Sequence, residues 1–317
     1  MRILVTGCAG FIGSHVCETL LSTTDYEIMG IDNLNAYYDV EIKRRNIKIL
    51  EKYDNFTFRR EDICFTKIVE TWRPDKICHL ASMAGVRWSI EHPDEYVRVN
   101  IGGFINILEG VRQVGVKNVV YASSSSVYGL NEMLPFREDD PVERCNSPYA
   151  CSKRAMEIFA STYHKLYGMS LIGLRFFTVY GPRGRPDMAP DKFMTAVLNG
   201  TGFKVYGDGS SSRDYTYISD IVDGILAALH NKNNVGCEVY NLGNSSPVGL
   251  MEFIHTIERV TGKSAIYEHI GDQLGDVPHT FADISKAGRD LGYSPKVSLE
   301  DGLRRLYEFK IGETDVE

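Results

Sequence analysis

An α/β fold is predicted: a doubly wound parallel sheet with a smaller, interleaved C-terminal domain. Three features carry this reading. Short apolar runs alternate with longer amphipathic segments, a glycine-rich turn follows the first run, and the alternation loosens past about residue 177 into Gly- and Pro-rich loops. "RILVTG", "EIMGID", "FTFRRED", "KICHLA", "NVVYAS" and "SLIGLRF" read as strands. They are rich in β-branched and aromatic residues and mostly apolar on both faces, as buried parallel strands are. "SHVCETLLS" and "VNIGGFINILEGVRQVG" read as helices between them, the second with Ile101, Ile105 and Leu108 at helical spacing. Such alternation implies right-handed βαβ units. "SDIVDGILAALH" and "CEVYNLG" form one later helix–strand pair that could return to the sheet. The expected division is residues 1–177, with 214–245 partly returning to them, and a second unit drawn mainly from 178–317.

The chain has 317 residues, 43% hydrophobic and 24% charged, an ordinary composition for a soluble globular protein of one large domain or two closely joined ones. Its net charge of −7 is spread along the sequence, which argues against nucleic acid or an anionic membrane as partner. No apolar run reaches the roughly 18 residues of a membrane span, and the start, "MRILVTG", has no signal-peptide pattern. The seven cysteines (8, 17, 64, 78, 145, 151, 237) form no CxxC pair. They fit free thiols in a reducing cytoplasm better than a disulfide frame or zinc site. The histidines do not cluster, and no metal is expected.

"ILVTGCAGFIGSH" places Gly7, Gly10 and Gly13 after the first strand and at the opening of a helix, the context a dinucleotide fingerprint requires. Gly7 permits the tight turn, Gly10 lets backbone approach a pyrophosphate, and Gly13 lets the helix pack on the strand. Phe11 and Ile12 lie between the last two, where the helix N-terminus faces phosphate. Ser14, not Lys, follows Gly13, which excludes a Walker loop. Asp32 ends the second strand and can bind both ribose hydroxyls, with Asn33 beside it. Its charge would repel a 2′-phosphate, so NAD is favoured over NADP. The sheet is then of the Rossmann type. The glycines alone could equally make a tight strand–helix turn.

"NSPYACSKRAMEIF" has a helix start: Ser147 can cap and Pro148 suits the first position. Tyr149 and Lys153 then share one face. Tyrosine's ordinary pKa of about 10 makes it a poor base at neutral pH. An adjacent ammonium and a nicotinamide cation would bring it down, so that Tyr149 could remove a hydroxyl proton as hydride leaves the same carbon. "VVYASSSSVYG" puts Ser124, Ser125 and Ser126 at a strand's C-terminal end, where ligands of parallel sheets bind. Ser124 could bridge the substrate oxygen and Tyr149, though serines there could also be simple loop formers.

Together the glycine turn, the serine stretch and the Tyr–Lys pair resemble the extended short-chain dehydrogenase/reductases, over nearly the whole chain. Within them, "AGVRWSIEHPDEYVRVNIGG", "LRFFTVYGPRGRPDM", "SRDYTYISDI" and "GDVPHTFADISKAGRDLGY" are most similar to nucleotide-sugar 4-epimerases acting on UDP-glucuronate. The resemblance implies Tyr149 as base, Lys153 as its activator and ribose anchor, and Ser124 as hydroxyl partner. It implies Asp62 and Ile63 at adenine, and Leu80, Ala81 and Asn100 lining the cofactor cleft. It puts Arg213 at the diphosphate and Asp276 at the uridine ribose, with Arg87, Ser125 and Ser126 also in the substrate site. It implies bound NAD, a UDP-sugar substrate held by the C-terminal domain, and a homodimer through helices near residues 100–113 and 149–166. Ser82 departs from the family's usual alanine, with little effect expected. Related 4,6-dehydratases carry Asp-Glu where this chain has Ser125 and Ser126, because loss of water needs further acid–base groups.

The loop "LRFFTVYGPRGRPDMAP" carries Thr178, Arg183 and Arg185. A uronic acid has a carboxylate on C5, next to the reacting carbon. Arg185 can grip it with paired N–H donors and Thr178 can add a hydroxyl. The two arginines could instead face solvent or bind the diphosphate. The expected reaction is NAD-dependent C4 epimerisation of UDP-glucuronate to UDP-galacturonate through a 4-keto sugar. The alternatives are a 4-epimerase of UDP-glucose or UDP-N-acetylglucosamine, or a non-catalytic NAD-binding sensor, which would be expected to lack the Tyr or the Lys.

Overall fold

The computed structural model describes residues 1–116, 118–231, 236–271, 275 and 277–314. Its strands are β1 (Arg2–Thr6), β2 (Glu27–Asp32), β3 (Phe56–Arg60), β4 (Lys76–His79), β5 (Asn118–Ser124), β6 (Ser170–Phe176), β7 (Thr178–Tyr180), β8 (Gly202–Tyr206), β9 (Ser212–Arg213), β10 (Tyr215–Tyr217), β11 (Cys237–Leu242), β12 (Val248–Gly249) and β13 (Ile266–Ile270). Seven of them make one parallel sheet in the order β11-β6-β5-β4-β1-β2-β3. The late strand "CEVYNLG" does return to this sheet, pairing along β6 from Cys237 to Leu242. The pairs β7–β10, β9–β12 and β8–β13 form separate two-stranded ribbons.

Alternation along the strands sorts the core onto two faces. Ile3, Val5, Cys78 and Val120 pack in one cluster, together with the helices Phe11–Thr23 and Ile218–His230. Leu4, Ile77, Val119 and Tyr121 pack in the other, with the helices Phe104–Val114 and Pro148–Tyr167. The central strands are buried on both faces, as their unbroken apolar runs predict. β3 differs: only Phe56 is fully buried, and Arg59 and Arg60 are exposed. It is an edge strand, where charge protects an unpaired ladder.

The segment "VNIGGFINILEGVRQVG" is helical but not uniformly α. Val97–Gly103 is a π-helix that runs into the α-helix from Phe104. Its wider turn moves the core-facing stripe to Val99, Phe104, Ile107, Leu108 and Val111, leaving Ile101 and Ile105 half-buried. All seven cysteines are free thiols. Among the described residues, no helix is long and apolar enough to cross a membrane, and no three metal-type side chains gather.

Candidate active site

The strand order reverses between β1 and β4, so their C-terminal ends open a crevice. A cavity of about 360 Å³ lies there, lined in part by Gly7, Gly10, Phe11, Ile12 and Gly13. Gly7 has φ +73°, and a Cβ on it would press the Ala81 backbone at 2.8–2.9 Å. A Cβ on Gly13 would collide with the Gly7 carbonyl. The helix Phe11–Thr23 begins without any side-chain cap, so its first N–H groups face the cavity. Asp32 is buried at the rim, accepting from Leu34 N at 2.8 Å and Ala9 N at 3.3 Å. Burial raises its pKa, and these N–H groups with the Lys43 ammonium oppose that rise.

Asn33 and Ile63 also line this cavity, whereas Asp62 does not. Its carboxylate accepts from Asn33 Nδ2 at 3.2 Å and Cys64 N at 2.9 Å, so it acts on the cavity wall through Asn33. Leu80 and Ala81 line the opposite wall. Asn100, implied as a third lining residue there, is instead fully buried behind it. Its amide clamps Met83, accepting from the N–H at 2.7 Å and donating to the carbonyl at 3.0 Å. Its Nδ2 also donates to Ser152 Oγ at 2.9 Å, so Asn100 fixes the loop's path.

Tyr149 and Lys153 project into the same cavity from the helix Pro148–Tyr167. Ser147 caps it, its Oγ accepting from Ala150 N at 3.2 Å, and Pro148 takes the first position. Ser124 accepts from Ser126 N at 3.1 Å, which leaves its own proton for the hydrogen bond with Tyr149. Lys153 donates to the Ala122 carbonyl at 2.8 Å and to Ser82 Oγ at 3.0 Å. The unusual serine thus supplies one of the lysine's two acceptors, a contact between residues 71 positions apart. Electrostatics run differently from the simple expectation of a depressed tyrosine. Burial pushes the Tyr149 phenol up, opposed by the Ser124 hydrogen bond and the Arg185 charge. Burial also pulls the Lys153 ammonium down to about 7. Two groups that lose solvation together shift toward their neutral forms, and a charge brought into the cleft is needed to reverse that.

A second cavity of about 620 Å³ adjoins the first. The two share Tyr37, Gly85, Val86, Ser125, Ser126, Thr178 and Met188, so the serine stretch and Thr178 stand at the junction. Arg87, Arg213, Lys192 and Lys204 line its far part. Arg87 lies over the Tyr206 ring at 4.5 Å, and Arg213 donates to the Ser212 and Pro278 carbonyls at 3.0 Å. Asp276 lies outside the described residues. The two loop arginines part company. Arg183, at φ +61°, turns away from both cavities and binds His15 at 2.8 Å and Glu18 at 2.5 Å on the glycine-turn helix. Arg185 lines the first cavity, close enough to Tyr149 to oppose the rise that burial gives its pKa.

The sequence profile of the NAD dependent epimerase/dehydratase family matches residues 3–243. The chain belongs to this family. An uncharacterised protein of Methanocaldococcus jannaschii is 48% identical, over 96% of this chain and 94% of that one. The UDP-glucuronate 4-epimerase of Thermodesulfobacterium geofontis is 43% identical, over 95% and 94% respectively. The crystal structure of UDP-glucuronic acid 4-epimerase from Bacillus cereus in complex with UDP-glucuronic acid and NAD is 38% identical, with a TM-score of 0.93, and the match covers 99% of this chain and all of that one.

For this NAD-dependent epimerase-family protein, the glycine cradle that a Cβ would fill, the uncapped helix and Asp32 fit the dinucleotide. Sequence reading missed Tyr37, Asp187, Lys192 and Lys204, which line the second cavity. It also missed Lys43, Nζ 2.8 Å from the Asn35 carbonyl and lining the cofactor cavity. On the helix Pro148–Tyr167, Glu157 pairs with Arg175 through two 2.9 Å bonds, a contact no local pattern signals. One prediction follows from the Lys153 contacts. Lys153→Met removes the ammonium 6.0 Å from the Tyr149 ring, so the phenol stays neutral to higher pH. Activity is expected to fall and the acidic limb of the pH–rate profile to move alkaline. An unchanged limb would contradict the lysine's role.

Proposed function

We propose that the protein is a UDP-glucuronate 4-epimerase forming UDP-galacturonate. The observation that carries this reading is Arg185: a guanidinium only 16% exposed, in the wall that also holds Tyr149, next to Thr178 at the cavity junction. Asp187 pairs with this guanidinium in the free protein, and a carboxylate on C5 is a group that could take over that pairing, whereas a neutral hydroxymethyl is not. Bound NAD, held by Gly7, Gly10, Gly13 and Asp32, supplies a reversible hydride acceptor. Tyr149 takes the C4 hydroxyl proton, Ser124 holds that oxygen, and Lys153 stabilises the phenolate. The 4-keto sugar turns while Arg87, Arg213, Lys192 and Lys204 keep hold of the diphosphate, and Tyr149 returns its proton to the inverted oxygen. With C4 a ketone, the C6 carboxylate belongs to a β-keto acid prone to lose CO₂. Arg185 and Thr178 keep it charged and restrict its rotation. Ser125 and Ser126 supply no acid–base pair for dehydration.

On this reading residues 1–177, with 214–245, hold the cofactor, and 178–317 hold most of the UDP-sugar. Exposed apolar side chains on the helices near 97–114 and 148–167, Val97, Ile158, Leu166 and Tyr167, support a homodimer built through those helices. The free thiols support a cytoplasmic setting.

Arg185→Ala tests the substrate. Loss of a charge-assisted pair of about 1.5–3 kcal/mol lowers kcat/KM for UDP-glucuronate tenfold to a few hundredfold. UDP-glucose should be handled much as before. An equal loss on both would place Arg185 on the shared UDP portion and leave a general UDP-hexose 4-epimerase.

A further inference from the structure

Arg185 already has a carboxylate partner. Its Nε donates to Asp187 Oδ1 at 3.0 Å and its Nη2 to Asp187 Oδ2 at 2.5 Å, so its Nε–Nη2 edge, one of the two paired edges a guanidinium offers a carboxylate, is taken. The Tyr37 hydroxyl closes the cluster. It accepts from Arg185 Nη2 and donates to Asp187 Oδ2, both at 3.3 Å, while the guanidinium lies over its ring at 5.2 Å. The two partners differ in their surroundings: the Arg185 side chain is 16% exposed and that of Asp187 40%. Arg185 lines the cofactor cavity, Asp187 the second cavity, and Tyr37 both. The pair therefore spans the junction of the two cavities, where the reading above puts the substituent on C5.

We propose that Asp187 is a built-in stand-in for the substrate carboxylate, a specificity-determining residue that neutralises Arg185 in the free enzyme and yields its Nε–Nη2 edge when a uronate arrives. The inference rests on the reading of Arg185 given above. A guanidinium this buried is costly without a counter-charge, and Asp187 supplies one. Being the more exposed partner, Asp187 regains water when released. Exchange then swaps one charge-assisted pair for another, and only their difference favours binding. A ligand with a neutral group on C5 cannot displace Asp187. A uronate can, but it binds less tightly than an unopposed Arg185 would allow, and it leaves faster.

The test is calorimetric titration of NAD-loaded Asp187→Ala and Asp187→Asn with UDP-glucuronate and with UDP. For Asp187→Ala the Kd of UDP-glucuronate is expected to fall roughly tenfold, the scale of one charge-assisted hydrogen bond, with the Kd of UDP unchanged. Asp187→Asn keeps the shape and one acceptor, and should move the same way by less. In turnover, KM for UDP-glucuronate should fall without a rise in kcat. Weaker UDP-glucuronate binding would overturn the proposal, because Asp187 would then be a scaffold that orients Arg185. A parallel change for UDP would overturn it as well. Failure of the parent reading is recognised separately, by equal losses of Arg185→Ala on UDP-glucuronate and UDP-glucose. If Arg185→Ala is selective and the Asp187 variants do not tighten binding, only the stand-in role fails.

Discussion

Tyr149→Phe is expected to lower turnover by about 10²–10⁴-fold, the usual contribution of a positioned general base. The substitution removes one oxygen and little else. The ring's edge contact with Tyr96, 6.0 Å between centroids, remains available to phenylalanine, so the helix and the cofactor cavity keep their shape. Ser124 stays in place through its bond from Ser126 N, but a serine hydroxyl is too weak an acid and base to replace the phenol. NAD should therefore co-purify with the variant as with the parent, while kcat collapses. A rate within a few-fold of the parent would assign the proton transfer to another group.

Glu157→Ala is expected to cost about 3–5 kcal/mol of stability, because it strands a buried guanidinium. Arg175 is 1% exposed, and both of its carboxylate bonds, at 2.9 Å, go to Glu157. Ser123 Oγ donates to the same carboxylate at 2.6 Å, and Arg154 Nη1 at 2.9 Å. Glu157 lies one turn beyond Lys153 on the catalytic helix, so the pair ties that helix to β6. Denaturant titration reads the loss. A change below about 1 kcal/mol, the scale of a surface ion pair, would contradict the account. Replacing both partners with apolar residues of similar volume should recover much of it. The pH dependence has a definite sign. Burial alone would raise the Glu157 pKa, but the hydrogen bonds and charge of Arg175 outweigh it and hold the carboxyl below its ordinary 4.5. The stabilisation is thus full above about pH 4.5 and is lost as pH falls through the folded-state value.

What the sequence could and could not disclose divides along physical lines. "EIMGID" and "SLIGLRF" match β2 and β6 residue for residue, because strands buried on both faces leave an unbroken apolar run. The glycine turn and the Tyr149–Lys153 spacing are local, and locality is what sequence pattern reports. Ile101 and Ile105 lie in a helix as their spacing implies, yet stay half-buried, because a π-turn breaks the 3.6-residue period. Asn100 carries no local sign of whether it faces the cleft or backs it. Arg183 and Arg185 are two residues apart with the same chemistry, yet a positive φ at Arg183 sends it to His15 and Glu18. Ser82–Lys153 and Tyr37–Arg185 join residues 71 and 148 positions apart, which only the folded chain brings together.

The central claim is that C4 is oxidised and then reduced on the opposite face by the same hydrogen. The direct measurement is incubation of UDP-glucuronate deuterated at C4 with the NAD-loaded protein in ordinary water, followed by NMR. The account predicts UDP-galacturonate with deuterium retained at C4. Product whose C4 carries solvent hydrogen would contradict it, and so would UDP-glucuronate left unchanged while a neutral UDP-hexose is inverted.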